Sequence, residues 1–372
     1  MALTLGICGL PKSGKTTLFN ALTHSQAQTS AYGSAGDEPN VAMVKVPDGR
    51  LDVLAAMFKP RKLTPADVQY VDVAGLAPGD DPAAARTQGL SRKFLGAVAA
   101  NDALLIVVRA FESASLLHPA GTVDPGRDLE TVALELIFSD LGIIERRMAR
   151  IKAEFNKMRP AERELQEREL ALLERIQPEL EQNRPIRALA LSDDEQKLVK
   201  NYQFLSNKPW LIVVNLGESN LDAGPALVAA VQRAWPDPGA AAVAACAQLE
   251  MEVAQLPDAD AAEFRESLGL GPSPLGTVIT RSYDLLGLIS FLTAGEDEVR
   301  AWTIRRGTPA QQAAGAIHSD LERGFIRAEV VTYDDLIAAG SMAEAKKRGT
   351  VRMEGKTYPV KDGDILHILF NV

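Results

Sequence analysis

Several things are scarce in this chain, and each scarcity excludes something. Two cysteines, Cys8 and Cys246, in 372 residues cannot build a disulfide framework. Both stand in apolar stretches, where a reduced thiol packs as a small hydrophobe. No apolar run is long enough to span a bilayer. An apolar strand begins almost at the first residue, which leaves no room for a removable signal, so the cytoplasm is the expected compartment and no membrane partner is expected. Positive charge is also short. Lys and Arg total 40 against 49 Asp and Glu, a net charge of −9 that argues against a generally basic surface and against DNA as a partner, while leaving room for a local basic patch. What remains, 46% hydrophobic and 24% charged residues, is ordinary for a globular protein, here expected to be mostly monomeric and to hold about two or three domains.

The richest stretch is Gly9-Leu10-Pro11-Lys12-Ser13-Gly14-Lys15-Thr16, which fits the phosphate-binding pattern G-x-x-x-x-G-K-[ST]. It follows the apolar run Leu3 to Cys8, a buried strand, and opens onto a helix from Thr17 through Leu22. Loop amides and the positive end of that helix then face the phosphates of a nucleoside triphosphate. Lys15 reaches the β- and γ-phosphates, and Thr16 places its hydroxyl on Mg²⁺. A second motif, Asp72-Val73-Ala74-Gly75, ends the strand that begins at Val68. There Asp72 holds Mg²⁺ directly or through water, and the Gly75 amide meets the γ-phosphate.

Around these motifs the chain reads as an α/β nucleotide-binding domain. Val41 to Val46, Val68 to Val73, Ala103 to Val108, Pro209 to Asn215 and Val243 to Ala247 read as its further strands. Thr23 to Asn40 and Ala77 to Gln88 read as flexible switch segments. From Ile137 the apolar residues Ile137, Leu141, Ile144, Met148, Ile151, Phe155 and Met158 are spaced alternately four and three apart, the pattern of a coiled-coil seam. Arg159-Pro160 interrupts it, and Glu162 to Ile176 follows as a second charged helix with Leu165, Leu172, Leu173 and Ile176. A projecting antiparallel hairpin and two amphipathic helices lying flat on the core both fit, the dense Glu and Arg content favouring the hairpin. Beyond Pro272, Leu285 to Ala294 reads as a helix, and Ala301–Ile304, Phe325–Val331, Val351–Lys356 and Ile365–Phe370 read as strands of a small mixed sheet. The expected domains are a discontinuous nucleotide domain, 1–130 with 200–277, a helical insertion at 131–199, and a C-terminal domain at 278–372.

These motifs, taken together, resemble the YchF, or Obg-like ATPase, family of translation-factor-class P-loop NTPases. The likeness is carried by the phosphate loop, Glu38-Pro39-Asn40, Val46-Pro47-Asp48, Asp72 to Leu76, Lys93-Phe94-Leu95, Asn215-Leu216-Gly217-Glu218, Ala301-Trp302-Thr303-Ile304, Ile317-His318-Ser319-Asp320 and Glu322 to Ile326. The resemblance implies a Ras-like P-loop domain, an inserted coiled-coil hairpin and a C-terminal β-grasp domain of the TGS type. It also implies ATP hydrolysis, often in preference to GTP, with Mg²⁺ as cofactor and the ribosome or its RNA as partner. Guanine recognition requires N-K-x-D; here Leu216 replaces the lysine and Glu218 lengthens the carboxylate, which favours ATP. In the family's pattern Gly9 through Thr17 hold the phosphates, Asn215, Leu216 and Glu218 lie on one side of the base, and Cys246, Ala247 and Gln248 on the other.

Leu76 stands where many GTPases place a water-orienting glutamine. The resemblance offers His118, in Leu117-His118-Pro119, as the mobile histidine that replaces it. Lys12 stands where the family usually carries the Asn that helps seat K⁺, so an ammonium takes the cation's place and turnover independent of K⁺ is expected. Lys15, His118 and Lys12 are thus the candidate catalytic residues. Both switches depart from the family, with Ala31 to Gly36 lacking its threonine and Asp80 to Arg86 acidic and longer. A slow ATPase switch is therefore the first reading, and a sensor or scaffold that binds ATP without hydrolysing it the alternative. Arg146, Arg147, Arg150 and Lys152, with Arg300, Arg305 and Arg306, form either an RNA-facing patch or solvated faces.

Overall fold

A computed structural model describes residues 3–24, 39–73, 92–157, 159–237 and 239–371. In chain order the first elements are β1 (Thr4–Cys8), α1 (Lys15–Thr23), β2 (Asn40–Lys45), α2 (Gly49–Phe58), β3 (Lys62–Thr64), β4 (Asp67–Asp72), α3 (Arg92–Ala99), β5 (Ala103–Ala110), α4 (Pro125–Glu154) and α5 (Pro160–Glu181). They are followed by α6 (Asp193–Lys200), β6 (Trp210–Leu216), α7 (Gly224–Ala234), β7 (Ala240–Ala245), α8 (Ala247–Val253), α9 (Asp258–Ser267) and α10 (Pro274–Leu285). The chain forms two compact units, one from 1–42 and 69–278, the other from 43–68 and 279–372.

The first unit is built on a six-stranded sheet of order β2-β4-β1-β5-β6-β7. From β4 to β7 every pairing is parallel, with Ile7 opposite Asp72, Leu105 opposite Leu211 and Arg109 opposite Asn215. Parallel strands are covered on both faces, which is why β5 and β6 read as unbroken apolar runs and are buried throughout. All strand ends that matter for the site therefore open on one edge.

Between the paired strands β5 and β6 the chain inserts α4, α5 and α6. Helix α4 starts firmly: Asp124 accepts the Gly126 and Arg127 amides, and Pro125 occupies the first turn. It packs against β5 and α7 as well as against α5, so its apolar stripe joins the sheet's core. Ile137, Ile144, Met148 and Ile151 are buried with Leu172, Leu173, Ile176 and Leu180 of α5, whereas Leu165 is exposed. Met158 lies outside the described residues. The basic residues of this region are largely paired: Arg147 with Glu169, Arg150 with Glu154 and Lys152 with Glu174.

The second unit completes the list with β8 (Leu288–Ala294), β9 (Glu298–Arg305), α11 (Ala310–Ile317), α12 (Ser319–Arg323), β10 (Phe325–Thr332), α13 (Tyr333–Ala339), α14 (Met342–Lys347), β11 (Arg352–Glu354) and β12 (Asp364–Phe370). Its mixed sheet has the order β11-β10-β12-β8-β9-β3. Phe291, Ile304, Ala328, Val330, Leu366 and Ile368 form its core with Ala310, Ala313 and Ala314 of α11. The stretch Leu285 to Ala294 is not a helix: α10 ends at Leu285 and 288–294 is a strand. A short apolar run has no period to separate helix from strand, and Ile289, Phe291 and Thr293 suit a strand buried on both faces. The excursion at 43–68 supplies a helix and an edge strand. β3 pairs with β9, Lys62 opposite Glu298, and Thr64 Oγ1 donates to Glu298 Oε1 at 2.6 Å. Asp48 caps α2 and shares Arg50 with Asp362, both at 2.8 Å.

Candidate nucleotide site

The turn after β1 is shaped by two positions that demand glycine. Gly9 has φ +149 and Gly14 φ +91, and a Cβ would collide with the Val107 carbonyl at the first and with Asn215 Nδ2 at the second. Helix α1 begins with no side-chain cap and no acidic residue in its first turn, leaving its amides to an anion. Ser13 is buried, while Leu10, Pro11 and Thr17 are half-buried around it.

Lys15 is 7% exposed, and its Nζ donates to the Leu10 carbonyl at 2.8 Å and the Gly9 carbonyl at 3.3 Å. Burial pulls its pKa down to about 8, and the charge of Asp72 opposes the fall. Asp72, at the tip of β4, accepts the Thr16 hydroxyl at 2.9 Å. Burial raises its pKa, against the Thr16 bond and the charge of Lys15. Its other oxygen, Oδ1, is buried without a hydrogen-bond partner among the described residues, as is Ser13 Oγ. Cys8, beneath the loop, has its thiol pushed up to about 12 by burial. Among the described residues no three His, Cys, Asp or Glu side chains gather as a metal cage. A hydroxyl and a carboxylate with a spare buried oxygen, beside the glycine-shaped loop, fit Mg²⁺, which would take its remaining ligands from phosphate and water. Gly75, Leu76, residues 25–38 of the first switch segment and the whole of the second lie outside the described residues, while Thr23 ends α1 and Asn40 begins β2.

Of the residues expected beside the base, Asn215 is a strut. Its Nδ2 donates to the Ser13 carbonyl at 2.9 Å and its Oδ1 accepts the Ala247 amide at 3.0 Å, joining the phosphate loop to the start of α8. Asn220 pins the same turn, accepting the Gly217 amide at 2.8 Å and donating to the Ala110 carbonyl at 2.7 Å. Glu218 and Gln248 are exposed, Gln248 bonding to Glu252. Ala247 and Cys246 are buried, burial raising the Cys246 thiol. Leu216 is buried in the hydrophobic core, so the side chain in the lysine's place packs inward.

Lys12 sits in the left-handed region at φ 62, exposed, with Nζ 3.4 Å from the Leu117 carbonyl. His118, the next residue, is buried with both ring nitrogens engaged. Nδ1 accepts the Ala120 amide at 3.1 Å, so the neutral ring carries its proton on Nε2 and donates to Asp128 at 2.8 Å. Two neighbours escaped sequence reading. Arg109 is buried at the end of β5 with its guanidinium 4.4 Å over the Phe111 ring, and Phe111 stands beside Gly14 and Gly217. A charge inside an apolar strand was the signal available for Arg109.

The comparisons with known proteins agree along the whole chain. Residues 4–139 match the family model described as 50S ribosome-binding GTPase, and residues 288–371 match YchF-GTPase_C, described as a protein of unknown function, DUF933. The chain is 42% identical over 374 residues to the ribosome-binding ATPase YchF of Bacillus subtilis, covering 100% of both. It is 37% identical to Obg-like ATPase 1 of Caenorhabditis elegans, over 99% of this chain and 92% of that one. The solved structure of the Schizosaccharomyces pombe YchF GTPase superposes with a TM-score of 0.85 at 33% identity, covering 99% of this chain and 97% of the other.

Proposed function

The chain belongs to the YchF family, and we propose that it is a nucleotide-operated switch that binds Mg²⁺-ATP, hydrolyses it slowly and associates with ribosomes. The observation that supports this most directly is the buried Lys15 ammonium within a glycine-shaped loop, beside the Thr16–Asp72 pair. In this reading the amides of Gly9 to Thr17 and the Lys15 charge hold the β- and γ-phosphates. Thr16 and Asp72 hold Mg²⁺, which when bound neutralises charge developing on the phosphates. The amide of Gly75 reaches the γ-phosphate from a segment outside the described residues.

ATP is favoured over GTP because Leu216 is turned into the core and Glu218 is an exposed, longer carboxylate, so the guanine clamp lacks both of its usual side chains. Cys246, Ala247 and Gln248 line the opposite side of the base. Lys12 supplies positive charge at the loop in place of K⁺. Turnover is slow because Leu76 cannot orient water and His118 is held by Asp128 and Ala120. The hairpin of α4 and α5 and a C-terminal TGS domain are the surfaces we assign to ribosome or ribosomal RNA contact, in a mostly monomeric cytoplasmic protein.

Calorimetric titration with Mg²⁺-ATP and Mg²⁺-GTP tests the base preference, and tighter binding of GTP overturns it. If neither nucleotide binds, the site itself is misread. Equal turnover in K⁺ and Na⁺ buffers of one ionic strength is expected; strong K⁺ activation removes the role given to Lys12. The engaged state of His118 also favours a second reading, a sensor that holds ATP without cleaving it, and in a single-turnover experiment such a sensor would leave bound ATP intact over hours.

A further inference from the structure

Arg109 is a charged side chain withdrawn from solvent in an otherwise apolar strand. It lies near the end of β5 and is 2% exposed. Its Nε donates to the Phe111 carbonyl at 2.9 Å, and its Nη2 to the Leu116 carbonyl at 2.8 Å. Its Nη1 is buried with no partner among the described residues. The charges of Glu112 and Asp128 oppose the pKa depression that burial imposes on it. A valine here would continue the apolar strand without any of these desolvation costs, so a guanidinium at this position needs a geometric reason.

That reason is the loop it closes. One planar fork bonds two carbonyls five residues apart, folding 111–116 over the guanidinium. The folded loop touches both halves of the nucleotide site. A Cβ built on Gly14 would lie 3.9 Å from Phe111 Cε1, and one on Gly217 would lie 3.1 Å from Phe111 Cβ. The Ala110 carbonyl receives Asn220 from the base-side turn at 2.7 Å, and the Leu117 carbonyl faces Lys12 of the phosphate loop at 3.4 Å.

We infer that Arg109 is a positioning residue of the nucleotide site, fixing the Phe111–Leu117 loop as the wall between the phosphate loop and the base-side turn. It thereby sets the grip on the nucleoside half of the ligand rather than on the phosphate tail. The inference rests on the reading of this cradle as a nucleotide site.

The full-length protein and its Arg109→Lys and Arg109→Met variants, each with its melting temperature recorded, are titrated with Mg²⁺-ATP and with Mg²⁺-tripolyphosphate, which has neither sugar nor base. Lysine keeps the charge but cannot span both carbonyls with a fixed fork. Both variants are expected to lose about tenfold in ATP affinity, with tripolyphosphate affinity unchanged. Should Arg109→Met fail to fold, Arg109→Lys and Phe111→Ala carry the comparison, each expected to show the same ATP-selective loss. Equal loss of both ligands marks a general structural role and overturns the inference, as does undiminished ATP affinity. Failure of the unmodified protein to bind ATP overturns the nucleotide reading instead.

Discussion

The buried ammonium of Lys15 makes triphosphate binding depend on pH in a direction and by an amount that follow from its surroundings. In the free protein burial lowers its pKa to about 8, and Asp72 keeps it from falling further. A triphosphate in the cradle brings several negative charges against it and returns the pKa toward the ordinary lysine value. Binding therefore takes up a proton whenever free Lys15 has lost one. Affinity is flat below about pH 7.5 and falls as pH rises through the free-state pKa, by about 25-fold between roughly pH 7.5 and 9.5. The triphosphate itself is fully ionised across that window. Titrations in buffers of differing ionisation enthalpy read the linkage directly, and at about pH 8.5 uptake of about 0.75 proton per ATP is expected. Stability of the free protein carries the opposite slope. An unfolded Lys15 stays charged to about pH 10.4 while the folded one does not, so the unfolded chain binds more protons between about 8 and 10.4 and this group makes folding more favourable by roughly 3 kcal/mol across the window. Cys8, ionised near its usual pKa when unfolded but held to about 12 when folded, pulls the other way at higher pH. Because Cys8 and Lys15 also act on each other, the Lys15 contribution is read in a Cys8→Ala background, as the difference between that protein and its Lys15→Met variant. Affinity that stays level to about pH 9.5, with no proton taken up, would refute the description of Lys15 as a desolvated charge.

Three further outcomes are expected. Gly14→Ala puts a Cβ against Asn215 Nδ2 at a φ of +91, and loss of about 2–3 kcal/mol in denaturant unfolding is expected together with loss of nucleotide binding; a variant as stable as the parent contradicts the packing. Asn215→Ala strands the Ser13 carbonyl and the Ala247 amide, both buried, and should cost about 2 kcal/mol and weaken ATP and GTP alike, because the side chain braces the loops rather than choosing the base. Residues 279–372 expressed alone lack the β3 partner of Glu298 to Arg300, so weakened amide protection at that end of β9, with the β8-paired remainder protected, is expected by hydrogen exchange and restored when 43–68 is supplied on a tether; full protection at that end without it contradicts the pairing.

What could be read in the sequence was local. The β1–loop–α1 unit announces itself because glycines, lysine and threonine must follow a buried strand at fixed spacing, and Asp72 is marked by the D-x-x-G pattern that it opens at the end of β4. Strands β5 and β6 were legible as apolar runs too long for an amphipathic sheet. The misreading of 288–294 has the same origin: burial on both faces erases the period that separates helix from strand. The excursion at 43–68 was illegible for another reason. Its three-residue strand has two of three residues exposed, and it exists by pairing with β9, far away in sequence.

The candidate site shows the same division. Residue types and spacing pointed to Lys15, Thr16 and Asp72, because their chemistry requires them next to a phosphate. They gave no sign that Asn215 joins Ser13 to Ala247, or that His118 has both nitrogens committed, since those facts depend on partners that folding alone brings near. Arg109 lies between the two cases. An arginine in Leu104-Leu105-Ile106-Val107-Val108-Arg109-Ala110 contradicts its own strand, and such contradictions are tolerated where function requires them. Lys15, Asp72 and Arg109 all violate the burial rule at one edge of one sheet, where parallel strands end together and loop carbonyls and amides can receive their charges. Within the strands of this sheet the described buried charges, Asp72 and Arg109, stand at the edge where a charged ligand would meet them, whereas Asp140 and Glu169 are buried on the inserted helices with partners of their own.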